Sequence, residues 1–365
     1  MALHLFSSIR GHRNQINALS RVVARGEPGH AYLFEGPEGI GKDTVAQALL
    51  ARLACLDAAP QAADACGACR SCAALLRGEH PDLVRLARDG ATIKIDQVRS
   101  ALGRLRFDPV LGRVKGLLVE SADLLREEAA NALLKTLEEP PSRTVFVLVS
   151  SKPQLLLETI RSRCQVLRFS DLSPDDVAAL LVAEGVAPDA ARVAAALAEG
   201  SMHRARSLCD PARMALNDEV ARFALALGTA PPTDAAAWIE QIAERRATLA
   251  QAQGADSDNA EADEEPAART GKTALTREDL QWLLDVLRAV LRDVVLCGTG
   301  IDAASLPHAR HAAALHAMAN RCDIGRIVAV VDACQQLEQR MGINPNPRLA
   351  LSALLVEAGL RLRAT

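Results

Sequence analysis

Two clusters in this chain have residue types and spacings that could do chemistry. The first is Gly36-Pro37-Glu38-Gly39-Ile40-Gly41-Lys42, a GxxxxGK string. Glycines at those places let backbone N–H groups turn inward around phosphate oxygens, and a following helix N-terminus adds positive potential. Lys42 would reach the terminal phosphates of ATP or ADP. The next position should be Ser or Thr to hold Mg²⁺; here it is Asp43, and Thr44 comes one place late. An acid there repels phosphate. The loop Gly36, Gly39, Gly41, Lys42, Asp43, Thr44 therefore reads either as a degenerate nucleotide site or as a structural remnant that binds nothing tightly.

The second cluster is Cys55, Cys66, Cys69 and Cys72, spaced C-x10-C-x2-C-x2-C. Four thiolates with two short CxxC steps, and Gly67 easing a knuckle turn, can close a tetrahedral site. Structural Zn²⁺ is the favoured reading; a redox pair and an iron–sulfur cluster are the alternatives. Four protein ligands leave no open position, so this metal would not catalyse. Cys164 is the other cysteine that lies beside a chemical motif.

Nucleotide hydrolysis also needs a strand ending in an acidic pair. The candidate run is Gly116-Leu117-Leu118-Val119-Glu120-Ser121. Glu120 could take the metal side, but Ser121 stands where the water-activating carboxylate is needed, and a neutral hydroxyl is no general base near pH 7. Asp123 is expected to point elsewhere from a turn.

These groups need a scaffold, and the hydrophobic pattern supplies one. Residues 31–35, 82–86, 114–120, 144–150 and 165–169 read as strands, and unbroken runs such as VFVLV suit a parallel sheet covered on both faces. Residues 44–56 and 123–137 show helical spacing, the second stopping before Pro140-Pro141. The fold class is therefore α/β followed by all-α. After residue 170 the strand signal ends: 172–207 reads as three short Ala-rich helices opened by Ser173-Pro174, with further helix over 211–253 and from 276 onward. The acidic stretch 254–272 reads as a disordered surface loop, with a docking tail for a basic partner as the alternative.

Composition bounds the function. A chain of 365 residues with 49% hydrophobic and 2% aromatic residues predicts two or three helix-rich globular domains. Its net charge of −3 provides no global field for nucleic acid, so any DNA contact must be local or shared with partners. No apolar run is long enough to span a membrane, the N-terminus lacks a signal-peptide core, and nine cysteines suggest thiols or metal rather than disulfides; a cytoplasmic location is expected.

Longer strings are more specific. NALLKTLEEPP at 131–141 and VFVLVSSKPQLLLETIRSRC at 145–164 strongly resemble bacterial DNA polymerase III clamp-loader subunits of the AAA+ superfamily. HAYLFEGPEGIGK, the cysteine insertion, Glu199-Gly200-Ser201 and the terminal NPNPRLALSALL fit the same pattern, firmly over about 1–210 and weakly beyond. The resemblance implies an AAA+ nucleotide-binding-like domain over 1–169 with a zinc knuckle at about 55–72, a helical lid over 170–213 and a helical collar over 214–365. Asp43, Glu120-Ser121 and His203 depart from the ATPase (gamma/tau) members, while Ser162-Arg163-Cys164 is intact. That combination, and the length, are similar to the non-hydrolysing delta-prime type; an active gamma-type ATPase motor is the alternative.

By the same resemblance, Arg163 would act as an arginine finger in a neighbour's ATP site. Its bland alternative is a pair with an acidic side chain. Partners would be gamma/tau and delta subunits, with the sliding clamp and primer-template DNA reached through the complex, a component of a DNA-directed DNA polymerase. Ser150 or Ser151 would sense γ-phosphate or simply end a strand. Arg204 stands one place from the lid position. Arg99, Arg104 and Arg106 would face duplex backbone or form a solvated basic face. A zinc-dependent nucleic-acid module is a third reading, marked by steep salt dependence.

Overall fold

The structure, a computed structural model, describes the chain except residues 27, 60, 89–91, 230–233, 253–274, 341–345 and 364–365. The acidic stretch 254–272 lies outside the described residues. By its internal contacts the chain divides into two units: Met1–Asp176 with Gly200–His203, and Val177–Glu199 with Arg204–Thr365.

The first unit is built on strands β1 (Ala31–Glu35), β2 (Leu83–Leu86), β3 (Lys115–Val119), β4 (Thr144–Ser150) and β5 (Gln165–Arg168). They form one sheet in the order β2-β3-β4-β1-β5, and every pairing is parallel. The VFVLV run explains the layering. All seven residues of β4 are buried. Val145, Val147 and Val149 join one apolar cluster, whereas Phe146 and Leu148 join the other. Helices α1 (Arg13–Arg25) and α2 (Lys42–Ala54) belong to the first face. The second face holds α4 (Ile95–Arg104) and α5 (Glu127–Glu138), while α3 (Arg70–Leu76) lies in the cysteine insertion. A strand covered on both faces has no solvent side, so it shows no polar alternation.

Several boundaries differ from the sequence expectation. The helix expected over 44–56 begins at Lys42, because Gly41 at φ +94° turns the loop directly into it. The helix expected from 123 begins at Glu127: Ser121 is left-handed, Ala122–Leu124 is a 3-10 turn, and extended Leu125 intervenes. Helix α5 does stop at Glu138, ahead of the two prolines. The short α6 (Glu158–Arg161) precedes β5. Helix α1 had no reading from sequence, although Ile16, Leu19 and Val23 recur at helical spacing and face the first apolar cluster.

Beyond the sheet the described chain is helical: α7 (Pro174–Ala183), α8 (Pro188–Leu197), α9 (Met202–Leu208), α10 (Pro211–Ala226), α11 (Asp234–Ala252), α12 (Arg277–Gly298), α13 (Ala312–Arg321), α14 (Ile324–Arg340) and α15 (Pro347–Arg361). Ser173 caps α7, its hydroxyl accepting from Asp176 N at 3.1 Å. Helix α12 is the axis of the second unit, buried along most of its length and packed by α10, α13, α14 and α15. It opens with a capping box between Thr276 and Asp279. No helix among the described residues is long and apolar enough to cross a membrane.

Candidate functional site

In an open parallel sheet, ligands bind beyond the carboxyl ends of the strands. Here β1 runs into the glycine loop, β3 into Glu120 and Ser121, and β4 into Ser150 and Ser151. Gly39 and Gly41 adopt φ +77° and +94°, conformations that L side chains resist. Gly39 is needed twice over: a Cβ there would stand 2.4 Å from Ser201 Oγ and 2.9 Å from His203 Cβ. Met202 N donates to Gly39 O at 2.8 Å, so the segment 200–203 seats on the loop tip. His12 Nε2 bonds Ile40 O at 2.7 Å.

Lys42 is buried, and its ammonium donates to Gly36 O at 2.8 Å and to Pro37 O. Burial pushes its pKa down, against the attraction of Asp43, Glu38 and Asp123. Asp43 has the opposite problem. Burial and the nearby Glu120 raise its pKa, only partly countered by Lys42 and Arg85, and its buried Oδ1 has no hydrogen-bond partner. Glu120 itself is bound by Arg85 of β2, Nε to Oε1 at 2.6 Å. Ser121, left-handed at φ +51°, brings no carboxylate to the strand end.

Asp123 corrects an expectation. Rather than pointing elsewhere, it turns back to the end of β4, where Oδ1 accepts from Ser150 Oγ at 2.7 Å and Ser151 N at 3.1 Å. The left-handed Ser121 and the 3-10 turn behind it fold the carboxylate inward. Neither Arg85 nor this role of Asp123 was legible in sequence. Each depends on which strands are neighbours.

The four cysteines come together as their spacing requires. Cys55 caps the end of α2, Cys69 caps the start of α3, and every pair of sulfurs lies within 4.8 Å. Three pairs stand at 3.8, 3.9 and 3.7 Å. A tetrahedron with Zn–S bonds of about 2.3 Å has an edge of about 3.8 Å, so the donor set fits zinc. Cys66 N, Cys69 N and Cys72 N donate to the sulfurs of Cys55, Cys66 and Cys69 at 3.3, 3.3 and 3.5 Å. Such bonds favour thiolate. At Cys69 burial acts against them, yet the amides of Cys72 and Leu56 hold its pKa at about 6. Cys164, by contrast, is pushed up to about 12 by burial, which disfavours the reactive thiolate.

Arg163 follows α6 at one corner of the sheet unit. Its Nη2 lies 2.7 Å from Glu138 Oε1 and its Nη1 donates to Thr159 O at 3.0 Å. His30, Glu138, Pro140 and Ser162 line an open cleft with it. Arg204 is held by Glu199 at 2.6 Å, by Asp285 at 3.7 Å and by Glu338, all within the helical unit. Arg99 and Arg104 lie on α4 and Arg106 just past it; Arg104 donates to Pro81 O at 3.3 Å.

The parallel five-stranded sheet with a glycine loop opening a helix at a strand end is a P-loop-like α/β fold, followed by a helical part, with a four-cysteine cluster consistent with a zinc knuckle. Residues 11–173 match the family model described as DNA polymerase III, delta subunit. The chain is 33% identical over 250 residues to DNA polymerase III subunit tau of Escherichia coli, covering 66% of this chain and 38% of that protein. It is 45% identical over 147 residues to subunit delta-prime of Pseudomonas aeruginosa, covering 40% of this chain and 44% of that one. The aligned part thus spans less than half the length of either relative. A gamma subunit-related protein of Thermotoga maritima resembles it at TM-score 0.44 and 16% identity, over 96% of this chain and 100% of the other. Together the family match and the curated relatives support a DNA polymerase III clamp-loader subunit of the AAA+ family.

Proposed function

We propose that this chain is the non-hydrolysing, delta-prime type of clamp-loader subunit. In that role it supports ATP-dependent loading of the sliding clamp onto primed DNA and lends Arg163 to the ATP site of a neighbouring subunit. The observation that carries the reading is the state of the strand ends. Glu120 is engaged by Arg85, Ser121 brings no general base, and Asp43 places a half-buried acid, its Oδ1 enclosed, where a metal-binding hydroxyl is needed. Losing a general base is worth roughly 10²–10⁴-fold in rate. Gamma/tau and delta subunits are the partners this role requires, with clamp and primer-template DNA reached through the assembled ring in the cytoplasm. Residues 1–169, 170–213 and 214–365 would serve as nucleotide-binding-like domain, lid and collar. Cys55, Cys66, Cys69 and Cys72 would hold a structural zinc, and the Gly36–Lys42 loop would bind ATP or ADP without turning it over.

The second reading, an active gamma-type motor, is favoured by the intact glycines and Lys42 and by the 250-residue similarity to tau. Turnover separates them. The isolated chain should hydrolyse ATP at background, and Lys42→Ala should leave clamp loading by the reconstituted complex largely intact. Hydrolysis by the lone chain that Lys42→Ala abolishes would establish the motor instead.

A further inference from the structure

The four-cysteine site is held from behind by groups that are not ligands. Ser71 is fully buried and immediately precedes Cys72; its hydroxyl donates at 3.0 Å to the carbonyl of Ala54, which immediately precedes Cys55. One side chain therefore ties together the two backbone segments that bear Cys55 and Cys72, whose sulfurs lie 3.7 Å apart. The hydroxyl is itself oriented. His80, also buried, has Nε2 at 2.9 Å from Ser71 Oγ, and its Nδ1 accepts from Asp82 N at 3.2 Å. Nδ1 as acceptor puts the ring proton on Nε2, so the donor sequence runs His80 to Ser71 to Ala54 O.

The next loop closes the frame. Asp82 accepts backbone bonds from Val110, Leu111 and Gly112, each at 2.7 Å. Arg113 N then reaches Ala54 O at 3.3 Å, and its guanidinium bonds Leu56 O. Gly112 permits the approach: a Cβ there would lie 3.2 Å from Ala54 Cβ and 3.3 Å from His80 Cε1. The carbonyls on both sides of Cys55 are thus fixed from outside the cysteine insertion.

We propose that Ser71 and His80 are positioning residues for the four-cysteine site, a hydrogen-bonded relay that pre-organises Cys55 and Cys72 to receive a zinc ion. This rests on the metal reading of the four cysteines. Groups that orient metal ligands without touching the ion typically change affinity by about 10–100-fold. The relay acts through geometry, so its loss should weaken metal binding more than it weakens the fold.

The test is zinc affinity of the full chain, by competition with a chromophoric chelator, for the parent, Ser71→Ala, His80→Phe and the double variant. Ser71→Ala should bind zinc about 10–100-fold more weakly. His80→Phe should weaken it too, but add little in the Ser71→Ala background, because its effect passes through the hydroxyl. Metal-free Ser71→Ala should melt only slightly below the metal-free parent, by less than the zinc-loaded variant falls below the zinc-loaded parent. Affinity within twofold of the parent would overturn the inference, as would an equal loss of stability with and without metal. If His80→Phe fails to fold, Ser71→Ala alone decides. A parent that binds no zinc would instead defeat the metal reading.

Discussion

Arg163 and Asp43 are the residues on which the functional reading can be tried most directly. The Arg163–Glu138 pair is 37% and 44% exposed, and such pairs are worth about 0–1 kcal/mol. Little therefore holds the guanidinium back from a phosphate offered by another subunit. Arg163→Ala should fold, enter the complex at wild-type stoichiometry and depress the DNA-stimulated ATPase of the partner subunits. Arginine fingers are worth roughly 10³–10⁵ in rate, but other ATP sites in the ring would continue, so total ATPase should fall partially and clamp loading further. Arg163→Lys should not restore either, since an ammonium lacks the planar fork. Unchanged ATPase and loading would leave Arg163 as no more than a partner of Glu138. At Asp43 the folded pKa is raised by burial and by Glu120, so ionisation costs folding free energy. That penalty is absent below the unfolded carboxylate pKa and grows as pH rises through the window up to the folded one. Asp43→Asn should accordingly raise the denaturation midpoint at pH 7 to 8, with a gain that shrinks toward pH 4. A gain independent of pH would show that charge is not the cause.

Among the elements, β4 and α12 carry the two units. Phe146 is fully buried at the centre of β4, paired across to Leu117 of β3 and Ala31 of β1. Phe146→Ala should cost about 3–5 kcal/mol, read as a lowered urea midpoint at constant m-value. The capping box of α12 contributes less: Thr276→Ala removes the acceptor for Asp279 N at 3.1 Å and should cost about 1 kcal/mol. The strands were legible because a short unbroken apolar run bounded by turn residues suits little except a strand covered on both faces. Helix starts were less so. Gly41 and Ser121 decide where α2 and α5 begin through positive φ, and a serine in that conformation carries no signature in its neighbours.

For the whole chain, metal content and assembly are the readouts. Purified protein should hold about one zinc, the number a single closed four-cysteine site takes. Cys69→Ser should lose that ion and loosen the segment 55–72 without unfolding the sheet, because the two apolar clusters on its faces draw mainly on strands and helices outside that segment. Metal analysis that finds iron with visible absorbance would replace zinc with a cluster. Co-purification from its own cell should bring down the other clamp-loader subunits.

The glycine loop and the four cysteines were determined by sequence alone, and so was the alternation of strand and helix before the helical part. Each is a local pattern: seven consecutive residues form the loop, and short CxxC steps let sulfurs converge wherever the knuckle happens to sit. The sheet order β2-β3-β4-β1-β5 could be decided only by the tertiary structure, and with it the fates of the charged groups. Arg85 meets Glu120 because β2 lies beside β3; Asp123 meets Ser150 because β3 lies beside β4. Arg163 meets Glu138 because the end of α5 packs beside the turn after α6, and Ser71 of α3 meets His80 because the chain turns back between them. Spacing along the chain fixes what a residue can do. Burial of both sheet faces, summed over the whole unit, selects the residue it does it with.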